Sequence, residues 1–152
     1  MISMTLPVIA TTYLDRTNQW ETVGFDKRNK ALEHIKTGYQ NELNYLKGDG
    51  SFAVFTNEKI SSTWLTAYVA KVFSMAYSLV SVRKNHICDA IKYLILNTQQ
   101  PDGLFVEKGR VIHGEMIGDV RGMDSDASMT AFCLIAMQES RALCGDTVNV
   151  SN

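Results

Sequence analysis

Two stretches share one pattern: GDGSFAVF (48–55) followed by STWLTAYVAKVFSMA (62–76), and PDGLFVE (101–107) followed by ASMTAFCLIAMQES (127–140). Each has an Asp-Gly-x-Phe turn, Asp49 to Phe52 and Asp102 to Phe105, and then an apolar helix opened by a hydroxyl residue. At matching points the helices read Leu65-Thr66-Ala67-Tyr68 and Met129-Thr130-Ala131-Phe132. Glycine admits the positive φ that a tight turn needs, and the phenylalanine beyond it can plug the space between helices. Repeated hairpins with apolar inner helices stack into solenoids or close into α/α toroids. The pattern therefore predicts an all-α chain in which each turn joins an outer helix to an inner one.

Periodicity elsewhere agrees. Trp64, Leu65, Tyr68, Val69, Val72, Phe73 and Ala76 alternate steps of one and three, the helical period, with Ser61 or Ser62 as N-cap. Thr66, Lys71, Ser74 and Ser78 interrupt this run, so it predicts a buried helix and no membrane span. Other helices are predicted over 3–14, with Pro7 tolerable only near the first turn, and over 27–46, 86–98 and 126–142, the last with Asp126 as its N-cap. A length of 152 residues suits one domain, 1–152.

With 15 basic and 16 acidic residues, no global field favours nucleic acid. The opening MISMTLPVIATTYLD lacks the basic region and cleavage site of a signal peptide. Three cysteines without a CxxC pair leave the redox compartment open. Cys88 and Cys144 flank neighbouring helices and could be joined, whereas Cys133 lies on an apolar face and reads as core. His34 and His86 read as structural. His86 and Cys88 have no second pair at zinc-ligand spacing, and MDSDAS (123–128) lacks the glycine and distal glutamate of a calcium loop, so neither metal nor cofactor is predicted. Asn149-Val150-Ser151 fits a glycosylation sequon.

The second copy of the repeat is the longer. Phe105 to Phe132 spans 27 positions against 16 from Phe52 to Tyr68, and the extra eleven fall in VIHGEMIGDVRG (111–122). Insertions in such assemblies map to one face, often the binding face. From the residues alone, His113 and Glu115 could sit in a plain solvated loop. The functional alternative makes the imidazole a nucleophile or general base, with the carboxylate orienting it or taking a proton.

These motifs, with VIATTYLDRTNQWE near the start and DAIKYLILNTQQPDGLF before the second turn, resemble the thioester-containing domain of the complement C3/α2-macroglobulin family over nearly the whole chain. The resemblance implies an α/α toroid of about six hairpins, of which this chain holds about half. It implies a transacylation in which an internal thioester, formed by Cys and Gln of a Gly-Cys-Gly-Glu-Gln motif, is attacked by a histidine that passes the acyl group to a surface hydroxyl. His113 matches the catalytic histidine and Glu115 the acidic residue of its loop. Gly-Cys-Gly-Glu-Gln does not occur in these 152 residues, so the chain reads as a partial sequence beginning just after that motif, with Met1 an internal methionine. By itself it is expected to acylate nothing, and to act as an opsonin fragment rather than a turnover enzyme.

The resemblance further implies a Cys88–Cys144 disulfide and an extracellular setting, while Cys133 departs from the family pattern and reads as a free thiol. It implies binding to a complement receptor 2-like receptor and a factor H-like regulator, through an acidic face to which Asp15 and Glu139 contribute. Arg16, Asn18, Arg141 and Ala142 dilute that acidity here. Two alternatives share the fold. An α2-macroglobulin-type endopeptidase inhibitor has the same domain, but VIHGEMIG favours the complement branch. An isoprenoid enzyme uses turns like QQPDGLF, but the metal motif it needs is missing from the sequence. An open half toroid should expose apolar faces and be marginally stable or self-associate.

Overall fold

The computed structural model describes residues 1–110 and 123–147. Among them are six α-helices: α1 (Ile2–Thr17), α2 (Trp20–Val23), α3 (Phe25–Glu42), α4 (Thr63–Ala76), α5 (Lys84–Tyr93) and α6 (Met123–Cys144). The described residues form no β-strand, only two isolated antiparallel bridges, Leu46 with Phe52 and Gln99 with Phe105. The all-α, partial-toroid expectation is met. α4 stands between α1 and α6, while α3 packs on α1 and α5 packs on both α4 and α6.

The Asp-Gly-x-Phe repeat is built twice with the same bonds. Gly50 and Gly103 have φ of 87° and 91°, values that favour glycine. Asp49 Oδ1 accepts from Ser51 N–H and Asp102 Oδ1 from Leu104 N–H, each at 3.1 Å. Lys47 N–H donates to Ser51 C=O at 2.8 Å, and Gln100 N–H to Leu104 C=O at 2.7 Å. Each hairpin then docks on its inner helix through the repeated threonine. Phe52 N–H donates to Thr66 Oγ1 at 3.0 Å, and Phe105 N–H to Thr130 Oγ1 at 2.8 Å. Both phenylalanines are fully buried. Gly50 has a second reason to be glycine: a Cβ there would lie 2.7 Å from Asp89 Cβ at the side of α5.

Several boundaries differ from the expectations. α1 begins at Ile2, which places Pro7 at its sixth residue, where it has no N–H to give the preceding turn. Burial supports the longer helix: Met4, Val8 and Thr11 form a fully buried stripe, and Gly38 of α3 lets Met4 approach so closely that a Cβ would sit 2.7 Å from Met4 Cβ. α3 gives way to a 3₁₀ turn at Leu43–Tyr45. α5 starts two residues early and widens into a π-turn over Leu94–Thr98, where buried Thr98 Oγ1 donates to Leu94 C=O at 2.7 Å. Asp126 is not an N-cap: it lies in the first turn of α6, where a carboxylate complements the helix dipole.

Among the described residues, Thr11 Oγ1 is the one buried side-chain polar atom without a partner. Thr5 and Thr17 in the same helix donate to the Met1 and Tyr13 carbonyls. Thr11→Val removes an unsatisfied hydroxyl at nearly constant volume, so it is expected to raise the unfolding free energy by about 1 kcal/mol. A urea midpoint at or below that of the parent would contradict this.

His86, near the start of α5, is structural. Arg83 N–H donates to Tyr39 Oη at 3.1 Å, which leaves the phenol proton for His86 Nδ1 at 2.6 Å. Burial, and then the charge of Arg83, push the imidazole below its ordinary range, with Asp89 pulling the other way. The folded state thus favours the neutral ring. Its contribution is fully present above the unfolded value near 6.5 and is lost as pH falls through the window below it. Stability should therefore fall more between pH 7.5 and 5.5 in the parent than in His86→Gln; parallel urea midpoints across that range would contradict the assignment.

Candidate functional site

A polar network gathers at the amino end of α4. Ser62 has extended backbone angles and its Oγ accepts from Leu65 N–H at 3.1 Å, which settles the choice between Ser61 and Ser62 as N-cap. A second acceptor comes from far along the chain. Glu107 Oε1 accepts from Thr63 N–H at 2.7 Å and Oε2 from Trp64 N–H at 2.9 Å, with Ser62 Oγ donating to Oε2 at 3.3 Å. A carboxylate here satisfies free amide donors and meets the positive end of the helix dipole. Glu107 Oε1 also accepts from Gly109 N–H, in its own loop, at 3.0 Å.

Thr63 completes the joint. Its buried hydroxyl donates to Val106 C=O at 2.8 Å and accepts from Lys108 N–H at 3.1 Å. Gly109 runs against the backbone of Ser61, so a Cβ there would lie 2.8 Å from Ser61 O. Arg110 pairs with Glu58 at 3.0 Å, but this exposed pair adds little stability. Residues 106–110 are thus stitched to residues 61–64 and bring the chain to the start of the segment that carries His113.

The predicted residues fall into three groups. His113, Glu115 and Asn149 lie outside the described residues. Cys88 and Cys144 form a disulfide that ties α5 to the last residue of α6. Asp15 and Glu139 lie on α1 and α6, and among the described residues no hydrogen bond or ion pair joins them. Asp15 is committed elsewhere: its carboxylate accepts from Arg28 Nε at 2.9 Å, Arg28 Nη2 at 3.1 Å and Trp20 Nε1 at 2.6 Å. The Arg28 hydrogen bond, with help from Trp20 and against the cost of burial, holds Asp15 below the usual carboxylate range. Glu139 is exposed.

Cys133 is the free cysteine and is buried. Burial, reinforced by the negative charge of Glu107, pushes its thiol up to about 12. A thiol held protonated is neither a nucleophile nor a leaving group at neutral pH. Reading the sequence missed Glu107. Its one signal was a difference between the repeats: two positions beyond the turn phenylalanine the first copy has Val54 and the second Glu107.

The comparisons agree with this architecture. The family model described as A-macroglobulin TED domain matches residues 1–152. The chain is 61% identical over 149 residues to complement C3 of Oncorhynchus mykiss, which covers 98% of this chain and 9% of that protein. It is 53% identical over 151 residues to a venom factor of Crotalus adamanteus and 51% identical over 151 residues to complement C3 of Naja naja. Those alignments cover 99% of this chain and 9% of each relative, so the chain spans about a tenth of their length. With the family model matched from end to end and a repeated helical hairpin that suits it, the chain belongs to the A-macroglobulin TED domain family.

Proposed function

We propose that these residues are the histidine-bearing part of a C3-like thioester domain. The full-length protein would acylate hydroxyl groups on target surfaces and be read there by complement receptors and regulators. The observation that carries this reading is the family match over 1–152 together with VIHGEMIG, which in sequence stands between Arg110 and α6. In the proposed chemistry, His113 attacks the acyl carbon of an internal thioester supplied by sequence outside these residues. The carbon–sulfur bond breaks and thiolate leaves. A target hydroxyl then takes the acyl group from the imidazole, and its proton passes to the thiolate. Glu115 orients the imidazole. Since the acyl group is consumed, each molecule reacts once and does not turn over.

Cys133 is unsuited to be the thioester sulfur, being buried and strongly shifted toward the thiol. The Cys88–Cys144 bridge supports an oxidising, extracellular setting. With Asp15 engaged by Arg28, Glu139 is the freer carboxylate for a receptor face. The test is nucleophile choice in the activated full-length protein. His113→Ala should lose incorporation of labelled glycerol while still taking up methylamine, a stronger nucleophile that attacks the thioester directly. Unchanged glycerol incorporation would refute the role of His113. The 152-residue chain alone should incorporate neither label.

A further inference from the structure

The geometry points to Glu107 as a positioning residue for the histidine-bearing segment, an inference that rests on the transacylation reading. The two hairpins share turn, bridge, buried phenylalanine and threonine dock, so the fold of a hairpin does not require a carboxylate after the turn. In the first copy that place is taken by Val54, and the chain goes on to α4 without the insertion. Glu107 occurs in the copy whose loop is eleven residues longer, and it spends its acceptors on both sides of the joint. Three of its partners belong to the cap and first turn of α4, and the fourth, Gly109 N–H, lies on the way to His113. Thr63 holds the residues on either side of Glu107, Val106 and Lys108.

This arrangement fixes the origin of the segment. In sequence, His113 follows Arg110 by three residues. The helix that sets this origin is α4, which belongs to the core, and not the loop itself. An acyl transfer depends on the approach of the imidazole to the acyl carbon, and a displacement of about 1 Å costs up to about a hundredfold in rate. Releasing Glu107 from α4 shifts the base of the segment while leaving the reacting groups unchanged.

The experiment measures the ratio of glycerol to methylamine incorporated by the activated full-length protein, in parent, Glu107→Gln and His113→Ala. Glu107→Gln should lower the ratio by about tenfold, toward that of His113→Ala, with methylamine incorporation within twofold of the parent. A ratio unchanged in Glu107→Gln overturns the inference, whether or not the melting temperature falls, because a purely structural cap would change stability and leave nucleophile choice alone. If Glu107→Gln does not fold, Thr63→Val, which cuts the bonds to Val106 and Lys108, is held to the same criterion. A low ratio in His113→Ala beside a parental ratio in Glu107→Gln sinks this inference alone. A parental ratio in His113→Ala, or no incorporation by the parent, sinks the transacylation reading and this inference with it.

Discussion

Replacing both Cys88 and Cys144 with alanine is expected to lower the unfolding free energy by about 4 kcal/mol. The two cysteines are 56 residues apart, and the loop they close contains the π-turn, the second Asp-Gly turn, residues 111–122 and all of α6. Crosslinking a loop of that length removes many conformations from the unfolded chain, a restriction that grows with the logarithm of loop length. Both cysteines are also buried, so truncation removes packing at the α5–α6 contact. The measurement is urea unfolding of the double variant against the oxidised parent. A loss below about 1 kcal/mol would show that the denatured chain is already compact around this contact.

The second large effect is expected at the turn phenylalanines. Phe52→Ala and Phe105→Ala should each cost about 3 to 5 kcal/mol, the usual range for emptying a fully buried aromatic site. Phe52 meets the edge of Phe73 of α4 with ring centroids 5.9 Å apart, and the bridge and threonine dock hold its backbone, so neighbours have little freedom to collapse into the space. Phe55, three residues on, is 48% exposed, and its truncation should change stability by no more than about 0.5 kcal/mol. Thermal or urea unfolding of the three variants decides between them. Equal effects at Phe52 and Phe55 would deny that the turn phenylalanine is the plug of the hairpin.

The apolar faces anticipated for a partial toroid are present. Leu6, Ile9 and Tyr13 of α1 and Leu134 and Ile135 of α6 are each about half exposed or more, on the helices to either side of α4.

What could be read from the sequence was what short-range rules govern. The positive φ of Gly50 and Gly103, the hydroxyl cap of α4 and the helical period of residues 64–76 depend on neighbours within a few turns, and each took its predicted place. The Cys88–Cys144 pairing came from resemblance, since spacing alone allowed other outcomes. Helix ends were less legible. Pro7 and Asp126 follow local preferences that tertiary packing and dipole complementarity override.

The long-range bonds needed the folded chain. Glu107 reaches Thr63 and Trp64 across 44 and 43 residues, and Tyr39 meets His86 across 47. Apart from standing where the first repeat has Val54, Glu107 looks like a solvated glutamate in the sequence, because most of its partners are backbone amides, which every residue but proline carries. By itself the sequence determined the repeat and the helical class, and offered His113 and Glu115 as candidates through resemblance. Only the tertiary structure decided which carboxylate would join residues 106–110 to the start of α4, because free helix-end donors acquire a particular partner when packing brings two distant stretches together.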